Sequence, residues 1–192
     1  MYETLDYSNE IKREAMKLLK SFKGKTPIGI GSSKIAFLTE DYNVIVIPLC
    51  DEGASEIQSQ IDKWSELSST SVANYLNPVI EFGSLGYYLI SPLLNELTEY
   101  HSPKEILVNT DDPLIWEINV EEAFSKYNVG LSQDGNIKSF DYGEYNPYMD
   151  STPYCEWLHS KSCSDKDFIK NFKNYEIDYY IDLELRKMKE VQ

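Results

Sequence analysis

Asn43-Val44-Ile45-Val46-Ile47-Pro48-Leu49 is apolar at almost every position, and this run narrows the choice of fold more than any other. A strand with one wet face alternates apolar and polar residues, whereas an unbroken apolar run requires cover on both faces. Thr39-Glu40-Asp41-Tyr42 reads as the turn joining it to a preceding β-type run from Ile28 to Phe37. Glu56 to Leu67 follows, with Ile57, Ile61, Trp64 and Leu67 on one helical face after Gly53, and such a helix can pack across the strands. Val79 to Phe82 and Tyr87 to Leu93 add two strands, joined by the hairpin signal Gly83-Ser84-Leu85-Gly86, before a turn at Pro92. Upstream, Ile11, Ala15, Leu18, Leu19 and Phe22 recur at helical spacing over residues 8 to 22, with Ser8 as cap, Glu10 in the first turn and Lys23-Gly24-Lys25 as the stop.

With 192 residues, 42% hydrophobic and 26% charged, the chain can bury a core as one domain, or as one domain of two small lobes. Its net charge of -14 argues against nucleic acid as a direct partner, since backbone binding needs a Lys/Arg surface to release counterions. A cationic protein surface suits it better, although net charge by itself argues only for solubility. Cys50, Cys155 and Cys163 lack metal-site spacing and only His101 and His159 accompany them, so no structural zinc is expected. No run resembles a signal peptide or approaches the roughly 18 to 20 apolar residues of a membrane span. A cytoplasmic protein with reduced thiols and no membrane partner is the expectation.

The chemistry-bearing feature is Phe140-Asp141-Tyr142-Gly143, entered through Asn128-Val129-Gly130-Leu131 and the turn Ser132-Gln133-Asp134-Gly135-Asn136. It reads as two short strands ending in an exposed carboxylate suited to a metal ion. Between Glu96 and Lys126 eight acids stand against Lys104 and Lys126, an acidic and otherwise poorly legible connector. After Asp165, Phe168, Phe172, Tyr175, Tyr179, Ile181 and Leu185 suggest one or two helices. Asp111 and Asp112 in the connector, and Tyr175, Tyr179 and Asp182 in the tail, are the candidate partner-binding residues, because tyrosine gives a large amphipathic contact at low entropy cost. Trp64, Trp116 and Trp157 are expected to anchor the core.

Glycine-rich hairpin, buried strand, helix, hairpin, acidic connector and a short hairpin ending in an aspartate resemble, in that order, the protein-kinase-like superfamily over roughly residues 26 to 147. The resemblance implies an α+β fold with an antiparallel-sheet N-lobe to about residue 93 and a reduced helical C-lobe from about residue 94. It implies phosphate contact at Gly29, Gly31 and Ser32 within Gly29-Ile30-Gly31-Ser32-Ser33-Lys34, since glycine admits close approach to a phosphate. Asn128 and Asp141 match the family's metal ligands, which makes ATP with Mg²⁺ the one candidate cofactor in a chain otherwise expected to carry none. Three positions depart from the pattern. Val46 stands where the phosphate-binding lysine belongs, Gln60 where its orienting glutamate belongs, with Glu56 one turn earlier, and Ala123 where the proton-accepting aspartate belongs. Only 49 residues follow Gly143 and no Ala-Pro-Glu anchor is among them, so the resemblance leads one to expect a cut-down peptide platform.

The resemblance therefore implies a pseudokinase, a catalytically inactive member that acts by binding another protein, with inhibition of that protein as one form the binding could take. An Ile, Lys, Asn and Tyr-rich acidic chain suits an accessory or phage factor acting on a host or defence protein. Two other functions remain open on sequence. One is a divergent phosphotransferase or nucleotidyltransferase using Asp141 and Asn128 for metal, with Glu121 or Glu122 as base. The other is an acidic DNA mimic, which 18 basic residues among 32 acids dilute.

Overall fold

The computed structural model describes residues 7–143 except 32, 50, 109 and 111. Its element order begins with helix α1 (Tyr7–Ser21), strands β1 (Gly29–Ile30), β2 (Lys34–Leu38) and β3 (Asn43–Pro48), and helix α2 (Asp51–Leu67). Strands β4 (Glu81–Phe82) and β5 (Leu89–Pro92), short helices α3 (Pro103–Ile106) and α4 (Val120–Ala123), and strands β6 (Val129–Leu131) and β7 (Ile137–Ser139) follow. The fold is α+β. One antiparallel sheet runs in the order β1-β2-β3-β5-β4, and β6 and β7 form a separate antiparallel pair.

The apolar run is covered on both faces, as its composition demands. Ile45 and Ile47 of β3 join Ile35 and Phe37 of β2 in a core with Ala15, Met16 and Leu19 of α1. Val46, on the opposite face, packs on a small cluster of Ile57 and Ile61 from α2 with Leu89 from β5. A third cluster gathers Leu67, Val72 and Leu76 with Ile115, Ile118, Phe124, Val129 and Tyr142. Helix α2 thus bridges the large sheet and the elements that carry β6 and β7.

Two expectations about the elements need correction. The run from Ile28 to Phe37 is broken into β1 and β2 by a tight turn in which the Gly31 N–H donates to the Lys34 carbonyl at 2.8 Å. Helix α2 starts at Asp51, so Gly53 lies inside its first turn instead of preceding it. Asp51 and Glu52 favour that start by their charge at the positive end of the helix. Glycine is needed at 53 because a Cβ there would sit 2.1 Å from the Ser33 carbonyl oxygen. The poorly legible connector resolves into short capped pieces. Ser102 and Glu105 form a reciprocal capping box on α3, and Asp112 caps a 3-10 helix spanning Pro113–Glu117.

Candidate functional site

Strand β2 places Lys34, Ala36 and Leu38 on the face opposite Ile35 and Phe37. Ala36 stands directly across from Val46, and Lys34 across from Pro48. Residues directly opposite on antiparallel strands share a face, so Lys34 emerges on the same face as Val46, one pair further along. Its Nζ lies 2.9 Å from Glu56 Oε2 of α2 and 2.7 Å from Asp141 Oδ1, just beyond β7. The Ser33 hydroxyl donates to the same Glu56 oxygen at 2.8 Å. One ammonium therefore joins the sheet, α2 and the segment after β7.

The cluster is mostly withdrawn from water, with side-chain exposures of 15% for Lys34, 12% for Glu56 and 32% for Asp141. Burial works against the charge on Lys34, but the Asp141 and Glu56 carboxylates outweigh it and keep the ammonium protonated well above the ordinary lysine range. Asp141 is the most open of the three, and it gives the cluster a negatively charged outer edge.

Asp141 is held by its neighbours on either side. The Gln60 side-chain amide donates to the Phe140 carbonyl at 3.1 Å, and the Tyr142 hydroxyl donates to the Asn77 carbonyl at 2.9 Å. Asn77 in turn donates its backbone N–H to the Ser139 carbonyl at 2.7 Å and its side-chain amide to the Pro92 carbonyl at 2.9 Å. Tyr142 is 2% exposed, and burial pushes its phenol well above the usual range. Tyr142→Phe is expected to cost about 1–2 kcal/mol, because it leaves a buried carbonyl without its donor; urea unfolding measures it, and no change in midpoint would discount the bond.

No protein-family model matches the chain, and no curated protein matches it.

The structure brings together some of the expected residues and separates others. Gln60 carries no charge, but its buried amide positions the backbone beside Asp141. Glu56, one turn earlier, is the carboxylate that meets the lysine. Val46 is half-buried and packs against Ile57, Ile61 and Leu89. Ala123 is 2% exposed in α4, and its carbonyl accepts from the Ser139 hydroxyl at 2.7 Å. The Asn128 amide donates to the Glu122 carbonyl at 3.0 Å, closing the loop after α4, while its carbonyl accepts from the Phe140 N–H. Gly29 pairs with Ala36, and Gly31 is exposed in the turn before β2. A Cβ at either glycine would meet only an ordinary contact at 3.7 Å.

Asp112 is used internally. Its carboxylate accepts from the Ser71 hydroxyl at 2.8 Å and from the Leu114 N–H at 3.0 Å, and these bonds lower its pKa. Ser32, Asp111, Tyr175, Tyr179 and Asp182 lie outside the described residues, as do the tail helices, Trp157 and all three cysteines. Among the described residues no group of three or more His, Cys, Asp or Glu is placed to hold a metal ion, and no helix is long and apolar enough to cross a membrane.

Trp116 corrects the expectation of a core anchor: it is 77% exposed, whereas Trp64 packs against the cluster around Leu67. Sequence reasoning also gave Lys34 and Ser33 no role beyond the glycine-rich run. A signal was present, since Lys34 is two residues from Ala36 on one strand and so shares its face.

Proposed function

We propose that this chain is a protein-kinase-like domain that keeps a nucleotide cleft, does not transfer phosphate, and acts by binding another protein. The observation that carries the cleft is Lys34 joined to Glu56 and Asp141. The family pattern requires a cation on this face of the sheet, fixed by a carboxylate from the helix and facing an aspartate after the last hairpin. Val46 cannot supply that cation, and Lys34 supplies it from the adjacent strand. The sheet order, the helix between β3 and β4, and the β6-β7 pair leading into Asp141 support the same scaffold.

The residues present fit a nucleoside triphosphate with Mg²⁺. Lys34 would offer its ammonium to phosphate oxygens, and Asp141 would share a metal that the phosphates themselves complete, since the described residues gather no group of three or more His, Cys, Asp or Glu. Neither Gly29 nor Gly31 is required by internal packing, which leaves close approach of a ligand as a reason for glycine there. The bound ion would supply charge neutralisation between phosphates. This chain's residues position and hold, but Ala123 presents a buried methyl where a proton acceptor belongs. The protein would then work as a scaffold, for instance as an accessory or phage factor bound to a host or defence protein.

Thermal unfolding with ATP and Mg²⁺ tests the cleft. A ligand at a hundred times its Kd stabilises by about 2.7 kcal/mol, or about 5–10 °C at this size. Asp141→Asn is expected to abolish that rise. No rise at saturating nucleotide would remove the cleft from the proposal. The same ion cluster favours the second reading, a divergent phosphotransferase or nucleotidyltransferase, and transfer of label from ATP to any acceptor would establish it in place of the silent one.

A further inference from the structure

We propose that the 3-10 helix Pro113–Glu117 is a preformed docking knob, with Trp116 as its anchor, for a basic amphipathic segment of a partner protein. Three residues per turn make residues three apart eclipse, so a single ridge of such a helix can face inward. Here Ile115 and Ile118 form that ridge, each 4% exposed in the core. The outward residues include Leu114, 38% exposed, Glu117, and Trp116 at 77%. A lone exposed leucine is ordinary. A tryptophan turned almost wholly to water is a large apolar surface left uncovered, and tryptophan is the residue most enriched at the centres of protein interfaces.

The helix is also fixed at both ends before any partner arrives. Asp112 caps its first turn, Ser71 holds Asp112, and the Lys63 Nζ donates to the Glu117 carbonyl at 2.6 Å. Binding to a preformed anchor avoids most of the ordering entropy that a mobile one would lose.

Charge selects the occupant. Glu117, Glu121 and Glu122 are exposed immediately around and after Trp116, and the connector from Glu96 to Lys126 carries eight acids against two lysines. Lys63 offsets one of these charges. An acidic ligand, or a second copy of a chain with net charge -14, would meet repulsion here. A segment with Lys or Arg on one face and aliphatic residues on the other would meet attraction, and an arginine or lysine can also lie over the indole ring. The inference rests on the protein-binding half of the proposed function and is independent of the nucleotide cleft.

The test titrates the full chain, without nucleotide, with a short synthetic Leu/Lys/Arg peptide of amphipathic pattern, a scrambled peptide of the same composition, and an acidic counterpart. Tryptophan emission and calorimetry are read. The amphipathic basic peptide is expected to shift emission to the blue and to bind more weakly as salt rises. Trp116→Ala is expected to weaken it about 30-fold or more with an unchanged melting temperature. Equal affinity in Trp116→Ala, equal binding of the scrambled or acidic peptide, or no binding of the basic peptide each overturns the proposal. A self-associated protein that Trp116→Ala makes monomeric would assign the face to a second copy and overturn it too. Because nucleotide is absent throughout, failure here leaves the cleft standing, and failure of the ATP experiment leaves this face standing.

Discussion

Lys34→Met is expected to destabilise the protein by about 3 kcal/mol and to abolish nucleotide-induced stabilisation. The ammonium stands between Glu56 and Asp141, and removing it leaves two carboxylates facing each other with little access to water. Breaking a buried ion pair by deleting one partner costs about 3–5 kcal/mol, because the remaining charge has been desolvated without compensation. The lower end applies here, since Asp141 is 32% exposed. Adding Asp141→Asn to Lys34→Met should recover part of the loss, because one of the two unpaired charges then disappears. A loss no greater than that of Lys20→Met, on the exposed side of α1, would mean that the cluster contributes nothing to stability.

The pH dependence of this contribution has a definite sign. The Lys34 pKa is raised on folding, so the folded protein retains a proton that the unfolded chain releases near the ordinary lysine value of about 10.4. The stabilisation is fully present at neutral pH and falls as pH rises above that value. Wild-type stability should therefore show no loss from this group between pH 7 and about 9.5, and a decline in stronger alkali that Lys34→Met lacks. The converse, a loss from this group on mild acidification, is not expected.

The main outlines of the fold were legible because they rest on local signals. An apolar run needs two covered faces, and β3 has them. Gly83 to Gly86 reads as a turn, and the backbone at Leu85 and Gly86 takes positive φ there. Ser132 to Asn136 separates two strands, and Gly135 adopts a φ of +83° within it. What was not legible depends on separation along the chain. Lys34 and Asp141 are 107 residues apart, and nothing in either segment says that the ammonium two residues before Ala36 meets the carboxylate beyond β7. Gln60 matches a lost glutamate by position alone, and only the fold shows that its amide has a bond of its own to the Phe140 backbone. The helical periodicity of Ile57, Ile61, Trp64 and Leu67 starts only after Gly53, whereas α2 starts at Asp51, and close contact with the Ser33 carbonyl makes glycine the residue that fits inside its first turn. Residue type alone places Trp116 in the core, whereas the structure leaves it exposed. A single turn of 3-10 helix is too short to show by its pattern which side faces inward.

Gly143→Ala is expected to be the most damaging methyl in this part of the molecule. A Cβ there would lie 2.1 Å from the Glu56 carbonyl oxygen, 3.0 Å from the Glu56 carbonyl carbon and 3.3 Å from Gln60 Cβ. The first two of these atoms are backbone in the middle of α2, so no side-chain rotation can relieve the overlap and the two segments must separate. Overfilling a packed site costs about 1–3 kcal/mol, and the upper end corresponds to a fall of about 6–12 °C for a chain of this size. Separation also pulls against the bonds that hold Phe140 and Tyr142, so Asp141 should withdraw from Lys34 and nucleotide stabilisation should vanish below the lowered melting temperature. Gly135→Ala is the informative control. Its φ of +83° strains any side chain, but its Cβ would meet nothing within 4 Å, so it should cost about 1 kcal/mol and leave the nucleotide response intact. A Gly143→Ala protein as stable and as responsive as Gly135→Ala would show that Asp141 does not depend on the seat of its segment against α2.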